Sequence, residues 1–129
     1  MTSIRVLVVE DFVPFRRCIA SILGKLRDVQ VICEASDGLD AVLKAVELKP
    51  DLILLDIGLP KLNGIDAARL IRRLVPESKI LFLSQETSAE VVQEALNLGA
   101  LGYVVKGRAG IDLLPAVEAV ILDQEFVGG

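Results

Sequence analysis

Short unbroken apolar runs alternate along this chain with longer stretches in which apolar residues recur every three or four positions. The first pattern is that of strands buried on both faces, the second that of helices packed against them. Ile4–Val9 is rich in β-branched residues and predicts the first strand. Residues 12–26 show helical spacing, with Phe12, Phe15, Ile19, Ile22, Leu23 and Leu26 on one apolar face. Pro14 falls in or before the first turn, where its missing N–H costs nothing. Val29–Ala35 predicts a second strand, Ser36-Asp37-Gly38 a turn, and residues 39–48 a helix ended by Pro50. Leu52–Leu55 is a third strand, and a loop through Pro60 and Asn63-Gly64 leads to a helix over 65–74, stopped by Pro76. A fourth strand covers 79–83 and ends in Ser84. Thr87 or Ser88 can cap a helix running through Leu98, with Gly99 just beyond it. Gly102–Val105 is a short fifth strand, and a last helix spans about 111–122, with Pro115 tolerable only near its start.

Strands and helices alternate five times, with connections too long for hairpins. That requires right-handed crossovers and a parallel sheet layered by helices: an α/β, doubly wound architecture.

Composition narrows the chemistry. With 129 residues, 53% of them apolar and 25% charged, the chain suits a single globular domain with a full core. A net charge of -4 makes nucleic-acid binding by its own surface a poor expectation. There is no histidine, which excludes histidine catalysis and histidine-ligated zinc. Cys18 and Cys33 form no CxxC pair and lie in apolar segments, so buried, reduced thiols and a cytoplasmic location are expected. No leader pattern opens the sequence, and no apolar run has membrane-spanning length.

In a parallel sheet the carboxyl ends of all strands share one rim, where open α/β sheets bind ligands. That rim would hold Glu10 and Asp11 after the first strand, Asp56 after the third, Ser84 after the fourth and Lys106 after the fifth. Taken singly, each has an ordinary use as a loop residue, a cap or a surface cation. Together, three carboxylates are costly unless a cation holds them. An all-oxygen donor set favours a hard ion, with Mg²⁺ the best fit. A carboxylate beside Mg²⁺, a hydroxyl and a lysine is equipped to accept a phosphoryl group.

These residues carry a family resemblance. Val8-Val9-Glu10-Asp11, the stretch from Asp51 to Pro60 with Gly64, Leu83-Ser84, and Gly102-Tyr103-Val104-Val105-Lys106 together resemble, end to end, the receiver domain of two-component response regulators. The resemblance implies a flavodoxin-like, doubly wound fold with a five-stranded parallel sheet in the order 2-1-3-4-5. It implies that Asp56 accepts a phosphoryl group from a sensor histidine kinase. Asp11, Asp56 and the Gly58 backbone carbonyl would bind Mg²⁺, with Glu10 reaching it mainly through water. Ser84 and Lys106 would contact the phosphoryl oxygens, and Tyr103 would be a switch aromatic that turns inward as Ser84 moves. The face made by the fourth helix, fifth strand and fifth helix would then serve dimerisation or control of an output domain.

Most receivers carry proline immediately after the lysine, whereas this chain has Gly107. That departure, with the Gly-Tyr-Val-Val-Lys wording, resembles the subfamily whose output is a LuxR-type helix-turn-helix. The expectation is one receiver domain over 1–129, either free-standing or cut from a longer protein, with DNA contacts left to a C-terminal part outside it. Gln85 replaces the usual small residue and Glu86 can reach over the site, so both are expected to alter dephosphorylation. A receiver-like interaction module that takes no phosphate is the alternative. An enzyme on the same fold is disfavoured: there is no GxGxxG and no hydroxyl-rich phosphate loop after the first strand. Nor is there a second Asp two residues beyond Asp56, as a haloacid-dehalogenase-type phosphatase would need.

Overall fold

The computed structural model describes residues 3–128; the first two residues and Gly129, at the ends of the proposed domain, lie outside it. The elements run β1 (Ile4–Val9), α1 (Val13–Leu23), β2 (Val29–Ala35), α2 (Gly38–Leu48), β3 (Leu52–Leu55) and α3 (Gly64–Leu74). They continue with β4 (Lys79–Ser84), α4 (Ala89–Asn97), β5 (Gly102–Val105), α5 (Ala109–Ile121) and β6 (Phe126–Val127). All strand pairs are parallel, in the order β2-β1-β3-β4-β5-β6. The sheet therefore has six strands where five were expected. The sixth forms because the chain turns back after α5, and Phe126 and Gly128 donate to the carbonyls of Leu101 and Tyr103 (2.9 and 2.8 Å).

Strand side chains alternate between the two faces, and the core is correspondingly split. Val6, Val8, Leu52, Leu54, Leu81, Leu83 and Val104 meet α1 and α5 on one side. Leu7, Val9, Ile53, Leu55, Ile80, Phe82 and Tyr103 meet α2, α3 and α4 on the other. Every residue of β3 is buried, as a central strand with helices on both faces must be.

The helix starts follow local chemistry. Asp37, Asn63 and Ser88 each accept a hydrogen bond from the backbone N–H three residues on, capping α2, α3 and α4. Gly99 follows α4 at φ +109°, a left-handed position that suits glycine.

Four expectations need correction. Helix α1 is shorter than 12–26, and Phe12 is its cap residue, 61% exposed, because its backbone is still extended there. Helix α5 begins at Ala109, directly after a 3-10 turn over Lys106–Arg108, so Pro115 lies inside it. The carbonyl of Ile111 thereby loses its helical donor, a loss that solvent can make good because Ile111 and Pro115 are both exposed. Cys18 is exposed, one position off the buried Ile19, and Cys33 is only half-buried because β2 is an edge strand. Both are free thiols.

Candidate functional site

Strands β1, β3, β4 and β5 end on one rim, and the parallel register brings their last residues side by side. Val9 pairs with Leu55, Leu55 with Phe82 and Ser84 with Val105. The residues just beyond these ends line a cavity of about 620 Å³ that includes Glu10, Asp11, Asp56, Ser84 and Lys106. Gly58, Gln85 and Glu86 line it too. All the expected site residues except Tyr103 are thus gathered on its wall, and Tyr103 sits one layer below.

Asp56 is 6% exposed. Its Oδ1 accepts from the N–H of Ile57 (2.8 Å), and its Oδ2 from Nζ of Lys106 (3.0 Å). Lys106 also meets Oε1 of Glu10 at 2.5 Å. Burial pulls the lysine pKa down, but its bonds to Glu10 and Asp56 outweigh that and leave it raised. For Glu10 burial wins: the carboxyl pKa is raised, although Lys106 and the N–H of Phe12 hold it down.

One carboxylate oxygen from each of Glu10, Asp11 and Asp56 lies within 4.8 Å of the others. Oε1 of Glu10 is buried, and the ion pair with Lys106 is the one polar contact it makes among the described residues. Three carboxylates balanced by a single ammonium, with only oxygen donors on an open cavity, fit a hard divalent cation.

Gly64 fixes the backbone of this site. A Cβ there would sit 1.9 Å from the carbonyl oxygen of Asp56, so only glycine lets α3 start against the end of β3. Its N–H donates to Ile57 (2.7 Å). Gly58 and Gly107 face open space instead.

Oγ of Ser84 accepts from the N–H of Glu86 (3.1 Å). Tyr103 is fully buried, 6.2 Å from Phe82 between ring centroids, and its hydroxyl donates to the Glu86 carbonyl (2.8 Å). Burial raises the tyrosine pKa. The β4–α4 loop thus connects the rim to β5 through one residue, Glu86, a link that depends on backbone atoms and so leaves no pattern in the sequence.

Sequence reasoning placed Phe15 on a helix face and missed its second contact. Its ring lies 5.1 Å from Nζ of Lys106. Arg16 was also missed; it donates to the Glu10 carbonyl (3.0 Å) and pairs with Glu34 (3.2 Å). The available signal was position: they lie four and five residues beyond Asp11, in the first turn of the helix that follows the acidic pair.

Residues 6–118 match the family model of the response regulator receiver domain. The chain is 43% identical over 111 residues to a protein-glutamate methylesterase/protein-glutamine glutaminase of Thermotoga maritima, covering 85% of this chain and 32% of that protein. It is 36% identical over 115 residues to the response regulator protein VraR of Staphylococcus epidermidis, covering 89% of this chain and 55% of that one. It therefore spans about a third to about half the length of these curated relatives. Among solved structures, the response regulator domain of Thermotoga maritima CheB superposes with a TM-score of 0.86 at 34% identity, over 93% of this chain and 97% of that chain. A LuxR-family two-component response regulator from Aurantimonas superposes with a TM-score of 0.92 at 27% identity, over 97% and 89%. Among the described residues no helix is long and apolar enough to cross a membrane.

Proposed function

The chain belongs to the response regulator receiver family, and from that membership we propose a phosphorylation-controlled switch in which Asp56 accepts the phosphoryl group of a sensor kinase phosphohistidine. The observation that carries this reading is the carboxylate of Asp56 at the end of the central strand, opening onto the cavity beside Lys106 and two further carboxylates. An Asp56 oxygen forms the new P–O bond as the P–N bond breaks, and the imidazole, already protonated on its other ring nitrogen, leaves neutral with the electron pair of the broken bond. Lys106 and Ser84 stand where they can contact oxygens of the transferred group. Glu10, Asp11 and Asp56, with the Gly58 carbonyl, would hold Mg²⁺, which when bound supplies positive charge opposite those oxygens.

The switch is a population shift between two packings. A phosphoryl group at Asp56 accepts from the Ser84 hydroxyl and draws it inward, away from the Glu86 N–H that donates to its Oγ; the Glu86 carbonyl in turn accepts from Tyr103. The shift is read on the face of α4, β5 and α5, by a second copy of the chain or by an output. We take 1–129 as one receiver domain whose output lies outside these residues and acts on transcription, with no DNA contact by the domain itself. Gly107 and the likeness to LuxR-family receivers support that reading. The higher identity to the methylesterase supports an enzymatic output as the second reading. The catalysis of the domain itself is confined to its own phosphoryl transfer and dephosphorylation, and its place is the cytoplasm.

Incubation with acetyl phosphate, with and without Mg²⁺, followed by intact-mass measurement tests this. The wild type should gain one phosphoryl group only with Mg²⁺, and Asp56→Asn none. A wild type that stays unmodified would support the phosphate-independent interaction module instead. Gln85 and Glu86 modulate access at the mouth, so Gln85→Ala should change the half-life of the phosphoryl group; an unchanged half-life would remove that role.

A further inference from the structure

We propose that Phe15 is a positioning residue for phosphoryl transfer, its ring face holding the Lys106 ammonium between the carboxylates of Glu10 and Asp56. The inference rests on the phosphoacceptor reading above. A lysine head on a four-carbon stem has many rotamers, and fixing one is costly in entropy. The backbone of this chain does little to restrain it. Lys106 opens a 3-10 turn, and the next residue, Gly107, is the most freely rotating of all and has nothing within 4 Å of where a Cβ would stand. Restraint has to come from across the cavity.

Helix α1 supplies it. Phe15 is half-buried, packed against the core cluster that includes Ile19 and Leu23. The first turn that carries it contains Pro14 and is pinned by Arg16, which bonds the Glu10 carbonyl and pairs with Glu34. The ring is therefore held rigidly while the lysine is long and flexible. Nζ stands 5.1 Å from the ring centroid, inside the range in which an aromatic face attracts a cation. The two carboxylates draw the ammonium at 2.5 and 3.0 Å. An incoming phosphoryl group would compete with both carboxylates for this ammonium, whereas the ring keeps its hold throughout.

The test is a rate measurement in two backgrounds. Phosphorylation by acetyl phosphate in Mg²⁺ is followed by intact mass for the wild type, Phe15→Leu, Phe15→Tyr, Lys106→Met and the Phe15→Leu/Lys106→Met double variant. Phe15→Leu should slow phosphorylation roughly 3- to 10-fold, and Phe15→Tyr, which keeps the ring, should stay near wild type. On Lys106→Met, the leucine should add nothing, because its effect runs through the lysine. Phe15→Met, equally apolar and less demanding of shape, gives the same comparison where leucine packs badly. Equal rates for wild type and Phe15→Leu overturn the inference alone. So does the same slowing in both backgrounds, which is the mark of a merely structural role. A wild type that takes up no phosphoryl group overturns the phosphoacceptor reading and this inference with it.

Discussion

Glu10 is the residue at which the physical tension of the site is most visible. Its carboxyl is 1% exposed, faces Lys106, Asp56 and Asp11, and has its pKa raised by burial above the ordinary 4.5. A folded state that binds the proton more tightly than the unfolded one is favoured at low pH. That contribution is complete below the unfolded value and is lost as pH rises through the raised folded value. Without divalent cation, Glu10→Gln should therefore flatten the fall in stability as pH rises above about 4.5. The variant should also bind Mg²⁺ more weakly. Urea unfolding in chelator at several pH values checks the first expectation, and a Mg²⁺ titration the second. A wild-type slope unchanged by the substitution would mean that Glu10 is not the group responsible.

At the scale of elements, legibility depended on how much of the chain a pattern could use. Leu52–Leu55 declared itself because all four residues are buried, which no surface segment would tolerate. The cap at Ser88 was visible because a short polar side chain before an apolar run has one common use, whereas Asp37 and Asn63, read as turn and loop residues, also prove to be caps. Phe12 fits the spacing of α1 and yet lies outside it; a period cannot tell a first turn from the cap residue preceding it. Strand β6 was missed because two residues carry no period at all. Its existence rests on backbone bonds alternating along β5. The amides of Phe126 and Gly128 donate into the sheet at 2.9 and 2.8 Å. Hydrogen exchange should find these two amides slower than that of Val127 between them. Equal, fast exchange at all three would remove β6 and leave a five-stranded sheet.

For the molecule as a whole, the parallel order matters more than any single contact. It turns residues as far apart as Glu10 and Lys106 into neighbours, which is why reading strand ends gathered the cavity wall before any distance was known. What that reading could not supply was the support: Phe15 and Arg16 from α1, the close approach of Gly64, and the backbone path through Glu86. Those depend on how helices sit on the sheet, which one sequence does not spell out. The central claim concerns a single bond, an acyl phosphate on the side chain of Asp56. The most direct measurement is to phosphorylate the protein with acetyl phosphate and Mg²⁺, reduce it with borohydride, and sequence its peptides by mass spectrometry. Borohydride cleaves the carboxyl–phosphate bond and converts the aspartyl residue to homoserine, marking where the phosphoryl group was. Homoserine at position 56 alone is the expected result. Homoserine at Asp11 instead, or at no position while the intact protein carries phosphate, would contradict it.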